Sequence, residues 1–172
     1  MSAGWADQCQ WREPGGIDAA LQIGAFLERV GIEVEAGPVG DSVLPGMTVH
    51  RGRVRVDPAI AAYPGDLLHE AGHLAVSDPA TRAGIEAIET DPGDEMAAIA
   101  WSVAAAQACG IALETLFFDD GYKGGAGALR AAFGGNGSVG VPMLAWFGMT
   151  AEPHRADEWG VPAFPAMTRW LR

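Results

Sequence analysis

Two spacings of apolar residues organise the chain, one near 3.6 for helices and one of 2 for strands. Over residues 17–30, Leu21, Phe26, Leu27 and Val30 make a helical face, and Gly31 follows as a helix-ending residue. Over 31–37, Ile32, Val34 and Ala36 alternate with Glu33 and Glu35, the pattern of a half-buried strand. Gly37, Pro38, Gly40 and Asp41 mark turns before Pro45-Gly46. Residues 47–57 read as a hairpin or a bent strand, with Val49, Val54 and Val56 toward the core and Arg51-Gly52 near the turn. Pro58 and Pro64 break the chain before a helix over 66–77, which Asp66 is placed to cap and Asp78-Pro79 to stop. A short helix is expected over 80–88. A long one over 94–108 starts after Asp91-Pro92-Gly93-Asp94 and closes at Gly110. Beyond Leu116 nine glycines fall between Gly121 and Gly148, with short helices expected over 128–133 and 142–147 and a last one over 163–172. The pattern predicts an α+β fold. A small mixed sheet from 32–57 lies beside the 66–77 helix, and the 94–108 helix crosses that helix.

Length and composition narrow this picture. A chain of 172 residues, 49% apolar and 19% charged, suits one globular domain over 1–172. Its recognisable core spans about 17–108, and the glycine-rich part over 115–172 has no assigned role. Cys9 and Cys109 stand far apart and offer neither a disulfide framework nor a CxxC metal site, so a reducing, cytoplasmic setting is expected. Residues 1–16 lack a basic start and an apolar run, and the most apolar stretch, 97–113, is interrupted by Ser102, Gln107 and Gly110. A buried helix, not a membrane span, is expected there. A net charge of −11 repels phosphate backbones and argues against nucleic acid as a partner.

The chemistry concentrates in His69-Glu70-Ala71-Gly72-His73. On a helix, residues four apart lie on one face, so both imidazoles reach a single Zn²⁺. Glu70, beside them but not a ligand, takes a proton from the metal-bound water, whose pKa zinc lowers toward ~7, and passes it to the leaving amine. The motif sits within an apolar helical pattern of Leu67, Leu68, Ala71, Leu74 and Ala75. Gly72 gives up about 1 kcal/mol of helix propensity against alanine, which a close neighbour, metal or strand, would explain. A catalytic zinc needs a third protein ligand. Candidates are Glu86, Glu89, Asp91, Asp94 and Glu95. Glu95 is preferred because Ala98, Ser102 and Ala105 continue its stripe with small residues that admit a close helix–helix approach. Read only as a first-turn acid, it would favour the helix dipole and nothing more.

With these motifs in place the chain resembles the minimal gluzincin core, and among such proteins the ImmA/IrrE-type metallopeptidases. Their HExxH matches His69, Glu70 and His73. Their ExxAN-type helix is matched by Glu95-Met96-Ala97-Ala98 through Glu and Ala, with Ile99 where the Asn stands. Ile99 also occupies the position, four residues after the ligand, at which a thermolysin-like glutamate helix carries an Asp. The resemblance covers roughly 17–108. It implies a zincin-like fold and a zinc peptidase acting on a peptide or protein substrate.

Weaker signals remain. Gly135–Gly140 matches GxGxxG but follows a helical rather than a strand pattern, so a turning loop is the plainer reading. His154, in Glu152-Pro153-His154-Arg155, is a candidate stabiliser of a tetrahedral oxyanion, and a surface histidine otherwise. Tyr63 and Tyr122 are further candidates for that donor. His50, Cys109 and the six tryptophans read as structural. Two function classes follow: a zinc hydrolase, or a zincin-like zinc-binding regulatory or interaction module without turnover. An intact Glu70 speaks for the first; Ile99 in place of that Asp, and the unmatched part over 115–172, speak for the second.

Overall fold

The computed structural model describes residues 3–89, 91–135 and 138–172. It is mixed α+β. After a 3-10 turn at Ala3–Gln8 come helix α1 (Gly16–Val30) and strands β1 (Val34–Ala36), β2 (Met47–His50) and β3 (Arg53–Val56). Helices α2 (Pro64–Val76), α3 (Pro92–Cys109), α4 (Leu113–Leu116), α5 (Ala126–Gly134), α6 (Val141–Trp146) and α7 (Ala156–Trp159) follow.

The sheet order is β1-β3-β2. β1 runs parallel to β3, pairing Val34 with Val54, and β2 runs antiparallel to it, pairing Val49 with Val54. Alternation sends Met47, Val49, Val54 and Val56 into the core. The expected hairpin forms, with Arg51 and Gly52 both at positive φ (49° and 71°), as a two-residue loop matched to strand twist requires.

Helix α2 is buried along its whole length, from Pro64 to Val76. It starts two residues before the expected cap. Tyr63 holds the extended N-cap conformation, and Pro64 takes the first turn, where a missing N–H costs nothing. Asp66 therefore lies inside the helix with its side chain buried, not at its end. Asp91 caps α3 instead, accepting the Asp94 N–H at 2.9 Å. Helix α3 packs along α2. At Gly72 a Cβ would lie 2.7 Å from the Ala98 carbonyl oxygen, so the close neighbour that this glycine implied is the α3 backbone.

Two expected helices are absent. Over 80–88 only a 3-10 turn at Arg82–Gly84 forms. There the Arg82 guanidinium donates to the carbonyls of Leu74 and Ser77, and Gly52 donates its N–H to Ile85, tying the segment to α2 and the hairpin. The tail over 163–172 is irregular, because Pro165 removes a donor and the chain spends its groups on long-range bonds. The Trp170 carbonyl accepts from Trp101 Nε1 at 2.9 Å, and Arg172 N donates to the Ala75 carbonyl at 2.9 Å. Phe26, Trp101 and Trp170 form one aromatic cluster, with Phe26 and Trp170 edge-on at 4.9 Å. The helices expected over 128–133 and 142–147 appear as α5 and α6. The GxGxxG stretch joins them without a preceding strand, and its Asn136 and Gly137 lie outside the described residues. No helix among the described residues is long and apolar enough to cross a membrane.

Candidate metal centre

The i and i+4 spacing on α2 brings the two imidazoles together as expected: His69 Nε2 and His73 Nε2 are 3.2 Å apart, with the rings edge to face. Both side chains are buried, as is Glu70 between them in sequence. Donor atoms of His69, Glu70 and His73 all fall within 4.8 Å of one another, a group able to hold a metal ion. The small-residue stripe of α3 lets the second helix deliver Glu95 to the same place. Its carboxylate oxygens lie 3.4 Å from His69 Nε2 and 3.1 Å from His73 Nε2. Ala98, Ser102 and Ala105 are fully buried against α2 or within α3.

Burial sets the protonation states. It drives the His69 pKa down to about 4, helped by the neighbouring His73 and opposed by Glu95, so His69 is neutral at pH 7. The contact between His69 and Glu95 is thus one between a neutral imidazole and a carboxylate, not an ion pair. Burial raises Glu70 to about 7, with His73 pulling down and Glu95 pushing up. Asp66, one helical turn before Glu70, is raised to about 7 by burial and then by the Glu70 charge. Glu95, half-exposed, moves the other way: a hydrogen bond from His73 lowers its pKa against the opposing effect of burial, and His69, His73 and Lys123 add to the lowering.

The other third-ligand candidates have different positions. Glu86 is exposed and pairs with Arg51 at 3.3 Å. Asp91 is engaged in the α3 cap. Glu89 and Asp94 line a cavity of about 230 Å³ that reaches His73, with Val76, Ile85 and Ile88 as apolar wall.

Among the oxyanion candidates, Tyr122 enters the site. Its hydroxyl is 3.4 Å from His69 Nδ1, and its ring stands edge-on to the imidazole at 5.3 Å. Burial raises its pKa well above the ordinary value, followed by the charges of Asp66, Glu95 and Glu70, so it keeps its proton. Tyr63 instead stacks on Phe118 at 3.8 Å and donates to Asp120 at 3.1 Å. His154 is 67% exposed in a surface turn, 3.9 Å from Glu152. His50 ends β2 in the hairpin. Sequence reasoning passed over Asp66 as a buried carboxyl, although its i−4 spacing from Glu70 puts both on one helix face. It also passed over Lys123, whose charge reaches Glu95 from a turn far along the chain.

Comparison of the chain with protein-family models, with curated proteins and with solved structures returns no match.

Proposed function

We propose that the chain is a zinc-dependent metallopeptidase with a zincin-like, gluzincin-type centre. His69, His73 and Glu95 are the zinc ligands and Glu70 the general base. The convergence of the two imidazole nitrogens and the Glu95 carboxylate carries this reading. In a tetrahedral site with Zn–N and Zn–O near 2.0–2.1 Å, neighbouring donor atoms stand about 3.3 Å apart. Here the two Nε2 atoms stand 3.2 Å apart, and Glu95 sets one carboxylate oxygen 3.4 Å from His69 Nε2 and the other 3.1 Å from His73 Nε2. Two imidazoles and a carboxylate are also donors of the type zinc accepts. When bound, zinc would supply an activated water and polarise a substrate carbonyl.

The chain's own residues supply the rest. Glu70, with its pKa near 7, is poised to take a proton at its carboxylate from the attacking water and return it to the leaving amine. Glu95 is kept ionised by its histidine neighbours and so stays a competent ligand. The cavity beside His73 gives room for a residue of a peptide substrate. A cytoplasmic setting belongs to the same proposal, supported by the two free cysteines, one buried and one half-buried.

A second reading, a zinc-binding module without turnover, draws on Ile99, a buried apolar residue where the resembling families carry a polar partner. Metal analysis of the purified chain, with His69→Ala and His73→Ala beside it, tests the zinc in either reading. About one zinc per chain is expected, lost in both variants. Full occupancy in both would remove the basis of the proposal.

A further inference from the structure

The cavity beside the candidate metal centre has His73 itself in its wall and a volume of about 230 Å³. Pockets that take a whole small molecule run to ~300–1,000 Å³. This one is smaller, with room for one long side chain. Its wall changes character along its length. His73 and Val76 are buried, Ile85, Ile88 and Asp94 are half-buried, and Glu89 is exposed. Val76 follows His73 by three residues on α2 and so shares its face. The apolar wall therefore starts beside the imidazole and continues through Ile85 and Ile88, and the acids stand at the more open end.

The charges at that end have no counterpart. Among the described residues no ion pair or side-chain hydrogen bond engages the carboxylate of Glu89 or Asp94, and Asp94 gives the α3 cap only its backbone N–H. Residues 86–95 carry Glu86, Glu89, Asp91, Asp94 and Glu95 and no lysine or arginine. Arg51 is paired with Glu86, and Arg82 gives its guanidinium to the carbonyls of Leu74, Ala75, Ser77 and Arg172. Neither arginine lines the cavity. Ser77, also in the wall, turns its hydroxyl hydrogen to the His73 carbonyl. An anionic side chain would meet like charges there and no cation. A purely apolar one would use the wall and leave both carboxylates to water.

We infer that this cavity is a subsite for a lysine or arginine side chain of a peptide substrate, on a residue next to the bond that is cleaved. The methylene stem packs along Val76, Ile85 and Ile88, as long basic side chains do on apolar surface, and the charged head reaches Glu89 and Asp94. The net charge of −11 acts in the same direction at longer range by drawing basic peptides in. The inference rests on the metallopeptidase reading for its substrate, and on the cavity alone for its preference for an alkyl cation.

The test uses the full chain in two measurements. Methyl NMR of the metal-free protein, with n-butylguanidinium as probe and n-pentanol as its neutral counterpart, reads the cavity through Val76, Ile85 and Ile88. Cleavage of a peptide library with lysine, arginine or norleucine on either side of the scissile bond reads the subsite in the zinc-loaded protein. Norleucine keeps the stem of lysine without its charge. The guanidinium should bind at those methyls more tightly than the alcohol. Lysine and arginine peptides should exceed norleucine peptides in kcat/KM by roughly 10-fold, as two charge pairs of the exposed kind together provide. Glu89→Gln combined with Asp94→Asn should erase both differences, with zinc content and norleucine cleavage unchanged. If that variant does not fold, the two wild-type comparisons decide. Norleucine peptides cleaved as well as lysine peptides, methyls that ignore the guanidinium, or a folded double variant that keeps the preference overturns the inference and leaves the peptidase reading standing. Methyls that respond to the cation in a protein that cleaves no peptide overturn the peptidase reading alone and leave the cation subsite supported.

Discussion

On the solvent side of the sheet, Arg53 meets Glu33 at 2.7 Å and Glu35 at 3.3 Å, and Arg55 meets Glu35 at 2.6 Å. Every one of these charges has a partner of opposite sign, and none is deeply buried. Helix α2 treats ionisable groups the other way. Asp66, His69, Glu70 and His73 are all buried, and no lysine or arginine pairs with them in any ion pair among the described residues. Burying a carboxyl without a cation is costly, and burial shifts Asp66 and Glu70 up and His69 down, each toward its uncharged form. A fold gains nothing in stability from such a cluster. Perturbed ionisable groups gathered beside a cavity are the mark of a functional site, whereas the paired charges of the sheet mark a solvated surface.

The largest effect that separates the two regions is on chemistry. Glu70→Gln preserves shape but cannot accept a proton. Zinc content should stay at the wild-type value while hydrolysis of a broad peptide library falls by at least ~100-fold, the low end of what a positioned base contributes. Equal turnover by wild type and variant would end the proposed mechanism. Removing charges from the sheet face should leave turnover unchanged.

The next effect is on stability and depends on pH. In the metal-free protein the Asp66 pKa is raised from 3.8 to about 7. A carboxyl raised on folding contributes stability that is fully present below its unfolded pKa and lost as pH rises through the folded one. At ~1.4 kcal/mol per unit, the loss between pH 4 and pH 7–8 is up to about 4 kcal/mol. His69 works against this: its pKa is depressed to about 4, so its contribution is present above pH 6.5 and lost as pH falls. The difference between variants is therefore the cleaner reading. Asp66→Asn should match wild type near pH 4 and be more stable by a few kcal/mol at pH 8, measured by urea unfolding in EDTA. No difference at pH 8 would mean that Asp66 is not held in a desolvated environment.

Between these extremes lies the packing that builds the site. In a helix interior, Gly72→Ala should stabilise by about 1 kcal/mol on propensity alone. The added Cβ meets the Ala98 carbonyl oxygen at 2.7 Å, and backbone cannot step aside cheaply. Overpacking of this kind costs ~1–3 kcal/mol, and the displacement of α3 carries Glu95 away from the histidines. Gly72→Ala should therefore lower stability and weaken zinc together. A variant that is more stable and binds zinc normally would show that the two helices are not in tight contact.

How much of this was legible follows from range. The motif on α2 and the small stripe on α3 are local periodic signals, and they predicted the pairing of His69, His73 and Glu95 that the structure brings within 3.4 Å. The hairpin at Arg51-Gly52 was local too. The start of α2 was misread because Asp66 fits a cap by type, whereas Pro64 fixes the first turn by geometry. The tail was misread as helix because its partners, Trp101, Ala75 and Arg82, lie 69 to 97 positions away. Tyr122 was one of three donor candidates with nothing to choose between them. The choice depended on a turn of positive-φ residues that no periodicity announces.

The smallest expected effect tests the other side of the comparison. Burial pushes the Glu35 pKa up, and the hydrogen bonds and charges of Arg55 and Arg53 together outweigh it, so the pKa is lowered. Read from contacts alone, that pair of bridges would look like the strongest electrostatic feature of the molecule. Yet Glu35 and Arg55 remain about a quarter exposed, and water screens them. Exposed pairs contribute ~0–1 kcal/mol. Glu35 and Arg55 are partners in the register, but Val34, Val54 and Val49 pair beside them, and those apolar contacts do not depend on the charges. Arg55→Ala should therefore shift urea stability by no more than about 1 kcal/mol at pH 7. Most of that shift should vanish in 1 M salt, where the screening length falls to ~3 Å. Zinc affinity and turnover should not change. A loss of several kcal/mol that persists in salt would show that the sheet's charges hold the fold together, and the contrast with α2 would fail on that side.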